Sequence, residues 1–62
     1  MADVAREVID GLWMIRQDRE DRDVMIYYCG KLVKVKERDE LLSLPQLRNE
    51  LLMYREEAKE DE

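Results

Sequence analysis

Residues 24–35, VMIYYCGKLVKV, are the stretch that decides the fold. β-Branched and aromatic residues crowd it, and two such runs, residues 24–28 and 31–35, are separated only by Cys29 and Gly30. These residue types suit a pleated, half-buried surface, and a two-residue gap that contains glycine fits a tight turn. The stretch therefore predicts a β-hairpin. A buried helix is the alternative, because its apolar residues also recur at helical spacing.

Alternation along the first strand of this hairpin divides its side chains between two faces. The two sets are Val24, Ile26 and Tyr28 on one face and Met25 and Tyr27 on the other. Both faces are apolar, but one or two helices cover only one face of a sheet well, and an exposed apolar patch commonly marks a protein contact. If the C-terminal helix covers the first set, we expect Met25, Tyr27 and Leu32 to form a contact surface.

The N-terminal sequence, residues 2–10, ADVAREVID, is compatible with two secondary structures. Helix formers such as Ala5, followed by Gly11 where a left-handed C-cap belongs, predict a short helix. This helix would offer a cover for the second face of the hairpin. The alternative is a tight turn at Asp10 and Gly11 between two short strands, because Asp-Gly is a strong hairpin signal. We expect the helix.

The apolar run LWMI, residues 12–15, leads directly into the polar stretch RQDREDRD, residues 16–23. A strand over residues 12–17 that leaves the core and enters an exposed loop explains both, and it predicts a three-stranded meander with the hairpin. The alternative is a helix over residues 12–23, which oppositely charged pairs at i, i+4 spacing would support.

The C-terminal third predicts a long amphipathic helix that begins after Ser43 and runs to about residue 59. Ser43 with Gln46 three residues later has the form of a capping box, and Pro45 is tolerated in the first turn. An apolar stripe follows one face of this helix: Leu44, Leu47, Leu51, Tyr54 and Ala58. Residues 60–62 are predicted to be a disordered acidic end.

Together these elements predict a single α+β domain over residues 1–62: a short N-terminal helix, a small antiparallel sheet of two or three strands and the C-terminal helix. The alternative fold is an all-α bundle or a dimeric helical hairpin. Hydrophobic residues make up 45% of the 62, which favours a folded chain although 44% are charged.

The net charge of −5 argues against direct binding to nucleic acid or to anionic membranes, because such binding depends on clustered Lys and Arg. The sequence shows no apolar run long enough to cross a membrane and no signal peptide. We therefore expect a cytoplasmic protein.

Catalytic chemistry has little support in the sequence. Histidine is absent and Cys29 is the one cysteine, which excludes Ser-His and Cys-His nucleophiles, histidine-bearing zinc sites and an internal disulfide. A domain this small also has little room for a cleft that would perturb its carboxylates. We expect no enzyme, no metal and no cofactor.

The remaining expectation is a non-enzymatic protein that binds and occludes or regulates a partner protein. Small acidic inhibitors that phages and mobile elements direct against host systems have a similar composition. Candidate contact residues are the aromatic and apolar side chains of types enriched in interfaces, together with the acids before the hairpin. They are Trp13, Met25, Tyr27, Leu32, Asp18, Glu20, Asp21 and Asp23.

Two other functions are open. The apolar stripe of the C-terminal helix could assemble a structural homo-oligomer, at its simplest a homodimer. Alternatively, the acids at positions 18, 20, 21 and 23, with the acidic end, could mimic nucleic acid and occupy a basic site on a nucleic-acid-binding protein. Binding of that kind would be electrostatic and sensitive to salt.

Overall fold

The computed structural model describes residues 4–60, in which four strands and one helix form an α+β fold. The strands build one antiparallel sheet in chain order, so that each strand pairs with the next. The elements are β1 (Val4–Ile9), β2 (Trp13–Asp18), β3 (Val24–Tyr28), β4 (Lys31–Lys36) and α1 (Leu44–Glu60). The predicted fold class is confirmed, and the sheet has one strand more than the largest sheet predicted.

The extra strand is β1, so the helix predicted over residues 2–10 is wrong; residues 2 and 3 lie outside the described part. Asp10 and Gly11 have positive φ angles of 58° and 68°, and the N–H of Leu12 donates to the carbonyl of Ile9 at 3.2 Å. This Asp-Gly turn lets β1 pair with β2 along its whole length. The hydrogen bonds of the sheet outweigh helix propensity, which is only a weak determinant.

β2 confirms the strand-and-loop interpretation of residues 12–23, because the strand ends at Asp18 and a loop leads to β3. The predicted hairpin is β3–β4. Its two-residue turn places Cys29 at φ 52° and Gly30 at φ 80°, the positive angles that a primed hairpin turn requires. A register shift opposite Ile26 and Tyr27 leaves Val33 unpaired as a bulge in β4.

α1 begins with the predicted capping box. The Ser43 N–H donates to Gln46 Oε1 at 2.8 Å, and the Gln46 N–H donates to Ser43 Oγ at 3.4 Å. From the predicted stripe, Leu47 and Leu51 are fully buried and Tyr54 is partly buried, whereas Leu44 is exposed. α1 packs across β1 and β2, and the helix includes Glu60, the first residue of the predicted acidic end.

The core lies between α1 and one face of the sheet. Its buried apolar residues are Ile9, Ile15, Val24, Ile26, Leu42, Leu47 and Leu51. One polar side chain, Gln17 on β2, is buried as completely as the best-buried of them. A buried amide is costly unless its hydrogen bonds are made, so its partners matter for the fold.

Gln17 makes three hydrogen bonds that join separate parts of the chain. Its Nε2 donates to the carbonyl of Arg22 at 2.9 Å and to that of Glu40 at 3.2 Å. Its Oε1 accepts from the N–H of Leu42 at 2.8 Å. The β2–β3 loop and the segment before α1 are therefore both anchored to β2 by one side chain.

We predict that Gln17→Met lowers the free energy of unfolding by about 3 kcal/mol, because it leaves two carbonyls and one N–H without their buried partner. The control is Gln46→Met at the exposed capping box, which should cost about 1 kcal/mol or less. Urea unfolding followed by circular dichroism measures both values. Equal losses for the two variants would contradict the role given to Gln17.

Candidate functional site

The sheet has one face under α1 and one face that no described element covers. The register and the alternation of side chains place Ile9, Ile15 and Ile26 on the covered face. The opposite face, called the open face below, carries Asp18 at the end of β2, and with it six apolar side chains and two arginines. They are Val8, Met14, Met25, Tyr27, Leu32, Val35, Arg6 and Arg16.

The apolar part of the open face is continuous across all four strands. Val8 pairs with Met14, Met14 with Tyr27 and Tyr27 with Leu32, so these four side chains form one row across the sheet. The next row ends in a second apolar pair, Met25 and Val35. Exposure is substantial for a sheet, at 52% for Val8, 52% for Leu32 and 49% for Val35.

The centre of this face is partly buried by its own neighbours. Met14, Met25 and Tyr27 are of intermediate exposure, and the Tyr27 hydroxyl donates to Met25 Sδ at 3.8 Å. Tyrosine and methionine contribute large, adaptable contact areas at protein interfaces. In the open face, the central side chains therefore pack against one another, and the apolar side chains around them are accessible to solvent.

Three of the predicted contact residues, Met25, Tyr27 and Leu32, are brought together on the open face. Tyr28, which alternation groups with Val24 and Ile26, is exposed because it stands at the end of β3 beside the turn. The β1 and β2 members of the face were not predicted from the sequence. The Asp-Gly turn is the signal that would have found them, since it implies a strand before it.

Trp13 lies on the other side of the sheet, in a cluster with two tyrosines. Its ring centroid is 4.6 Å from that of Tyr28 and 5.7 Å from that of Tyr54 on α1. Lys34 Nζ stands 5.1 Å from the centroid of the Tyr54 ring. The cluster borders a groove of about 520 Å³ at the sheet end that carries the two hairpin turns. Trp13 therefore belongs to the internal packing of the chain and to this groove.

The predicted acids lie at the opposite end of the sheet, in and beside the β2–β3 loop. Asp18 ends β2, and its Oδ1 accepts from the N–H of Glu20 at 2.8 Å. Glu20 and Asp21 are exposed, while Asp23, just before β3, is partly buried. The structure thus separates these acids from Trp13 and sets them beside the open face at its Asp18 end.

All five ion pairs found in the described part of the chain involve α1. They are Lys34–Glu57, Lys36–Glu50, Arg38–Glu50, Arg48–Glu7 and Arg55–Asp10. Arg6 and Arg16, by contrast, stand directly opposite each other on the open face and pair with no carboxylate among residues 4–60. Like charges directly opposite each other on neighbouring strands repel. The open face therefore holds two cations that form no ion pair with a described carboxylate, although Asp18 lies on the same face.

The described part of the chain offers few other functional groups. Across residues 4–60, no group of three His, Cys, Asp or Glu side chains is arranged to hold a metal ion. Cys29 is a free thiol exposed in the β3–β4 turn. Within the same residues, no helix has the length and apolar character needed to cross a membrane.

Comparison with known proteins gives no relative: no protein-family model matches the sequence, and no curated protein or solved structure is significantly similar to it. Function therefore has to be argued from the geometry of this chain.

We predict that Arg6→Glu raises the free energy of unfolding by about 0.5 kcal/mol, because it replaces a repelling cross-strand pair with an attracting one. Arg48→Glu is the matched control, since it converts the 3.0 Å pair with Glu7 into a repelling one and should lower stability. Both changes should shrink in high salt. Urea unfolding at two salt concentrations measures them, and a loss of stability in Arg6→Glu would contradict the unbalanced arginine pair.

Proposed function

We propose that this chain is a non-enzymatic protein that binds a partner protein through the open face and thereby occludes or regulates it. One observation carries the proposal: an apolar row spans all four strands on a face that nothing in residues 4–60 covers. Contiguous exposed apolar patches commonly mark protein contact sites. An inhibitor of a host system is one form that such a protein would take.

One edge of the sheet is poorly suited to strand addition, which favours contact through the face over contact at that edge. β4 is an edge strand that carries Lys31, Lys34 and Lys36 and contains the bulge at Val33. Charged side chains and bulges are the devices that discourage pairing of an edge with another chain. On the open face, the arginine pair is the feature that would discourage contact with an apolar surface of another chain.

Two other candidate functions have weaker support. A homo-oligomer built through α1 would need its apolar stripe, but Leu47 and Leu51 are buried in the core of the single chain. Leu44 and Met53 on α1 are exposed, yet nine residues apart they point in opposite directions on a helix. Mimicry of nucleic acid would rest on the β2–β3 loop, where Arg19 and Arg22 dilute the charge of the acids.

A photocrosslinking residue at position 27 tests the proposal in cells that contain the partner. We expect the benzoylphenylalanine variant of Tyr27 to crosslink to one other protein, because the side chain lies at the centre of the open face. The matched control places the same residue at Met53, which is 62% exposed on α1. Purified partner should then bind the unmodified chain and lose affinity for Tyr27→Lys. Crosslinks from position 53 but not from 27, or only to a second copy of this chain, would contradict the proposal.

A further inference from the structure

The contacts between α1 and the covered face show how apolar and charged side chains of a helix match this sheet. α1 presses Leu47 and Leu51 onto the sheet and brings carboxylates to the cations beside them. Glu50 binds Lys36 at 2.8 Å and also contacts Arg38, and Glu57 lies 3.8 Å from Lys34. At the other flank the charges are reversed, since Arg48 binds Glu7 at 3.0 Å and Arg55 binds Asp10 at 2.7 Å. An apolar stripe whose flanking charges are opposite to those of the sheet thus complements the covered face.

The open face presents an apolar surface beside two cations, and no described element brings carboxylates to them as α1 does to Lys36 and Arg38. Its apolar row from Val8 to Leu32 runs beside the opposed Arg6 and Arg16. Arg16 is partly buried in this position, which makes a missing counter-charge more costly than it would be at a fully exposed site. Asp18, the next residue of β2 on this face, forms no ion pair with Arg16, and its Oδ1 accepts the N–H of Glu20.

We propose that the occupant of the open face is an acidic amphipathic helix of the partner protein. Its apolar stripe would lie on the Val8–Leu32 row, and its carboxylates would bind Arg6 and Arg16. This inference rests on the proposed function and adds the chemistry of the partner to it.

The size of the face fits one helix. Four strands about 4.8 Å apart, with about 3.3 Å per residue along each, give a surface about 15–20 Å on each side. A helix about 10 Å wide with three or four turns spans such a surface. Contact through a strand added at β4 is disfavoured by the lysines and the bulge of that strand.

A second copy of this chain complements the open face less well. It would place another pair of opposed arginines near the pair already there, and like charges repel. Charge therefore favours a partner that supplies carboxylates at the arginines. The arginine pair would set the position of the helix and the choice of partner more than it would set the overall affinity.

Two synthetic peptides of about 18 residues test this inference. One carries leucines at alternating three- and four-residue spacing with glutamates on both flanks, and its twin has glutamine at every glutamate. We expect the glutamate peptide to bind about fivefold more tightly, as two solvent-accessible ion pairs would give. Amide shift changes in the labelled full chain should centre on Val8, Met14, Tyr27 and Leu32.

Two charge-matched double variants sharpen the test. Arg6→Gln with Arg16→Gln should bind both peptides equally, because the preference for acids resides in this pair. Arg19→Gln with Lys31→Gln removes the same charge from exposed positions that form none of the ion pairs seen in residues 4–60, and it should keep the preference. Loss of the preference in both variants would overturn the inference.

Other results would also overturn it, and they separate it from the proposed function. Equal binding of both peptides at the open face would refute an acidic partner and leave partner binding through the face standing. The same holds if neither peptide binds at about 1 mM while crosslinking from position 27 still captures a partner. Self-association that protects the open face as concentration rises would refute both proposals.

Discussion

The buried amide of Gln17 is the interaction on which the rest of the structure depends. It ties the carbonyls of Arg22 and Glu40 and the N–H of Leu42 to the middle of the sheet. Because these bonds hold the segment before α1 against β2, they position the first turn of the helix over the sheet. The helix then brings Leu47 and Leu51 onto one face of the sheet, where they are completely buried.

The asymmetry of the two faces follows from this arrangement. Residues 4–60 contain one helix, and that helix covers one side of the four-stranded sheet. The seven buried apolar residues all belong to that side, as do the five ion pairs of the described residues. The other side carries an apolar surface and an opposed pair of arginines. Both features lower the stability of the single chain, because the apolar area stays in water and the like charges repel.

Elements with strong local signals could be predicted from the sequence. The β3–β4 hairpin followed from alternation and from Gly30, and α1 followed from its capping box and leucine spacing. β1 could not be predicted in this way, because residues such as Ala5 favour a helix locally and become a strand only by pairing with β2. For the same reason Met25, Tyr27 and Leu32 were found as contact candidates, whereas Val8, Arg6 and Arg16 were not. Nothing local marks Gln17 as buried, since its partners are as far as 25 residues away.

In the free chain, α1 covers one face of the sheet, and the other face is exposed to solvent. Solvent paramagnetic relaxation of leucine and valine methyl groups measures this most directly. We expect strong relaxation for Leu32, Val8 and Val35 and almost none for Leu51 and Val24, which are fully buried. Equal protection of Leu32 and Leu51 at all protein concentrations would contradict the account, because it would mean that the single chain already covers both faces.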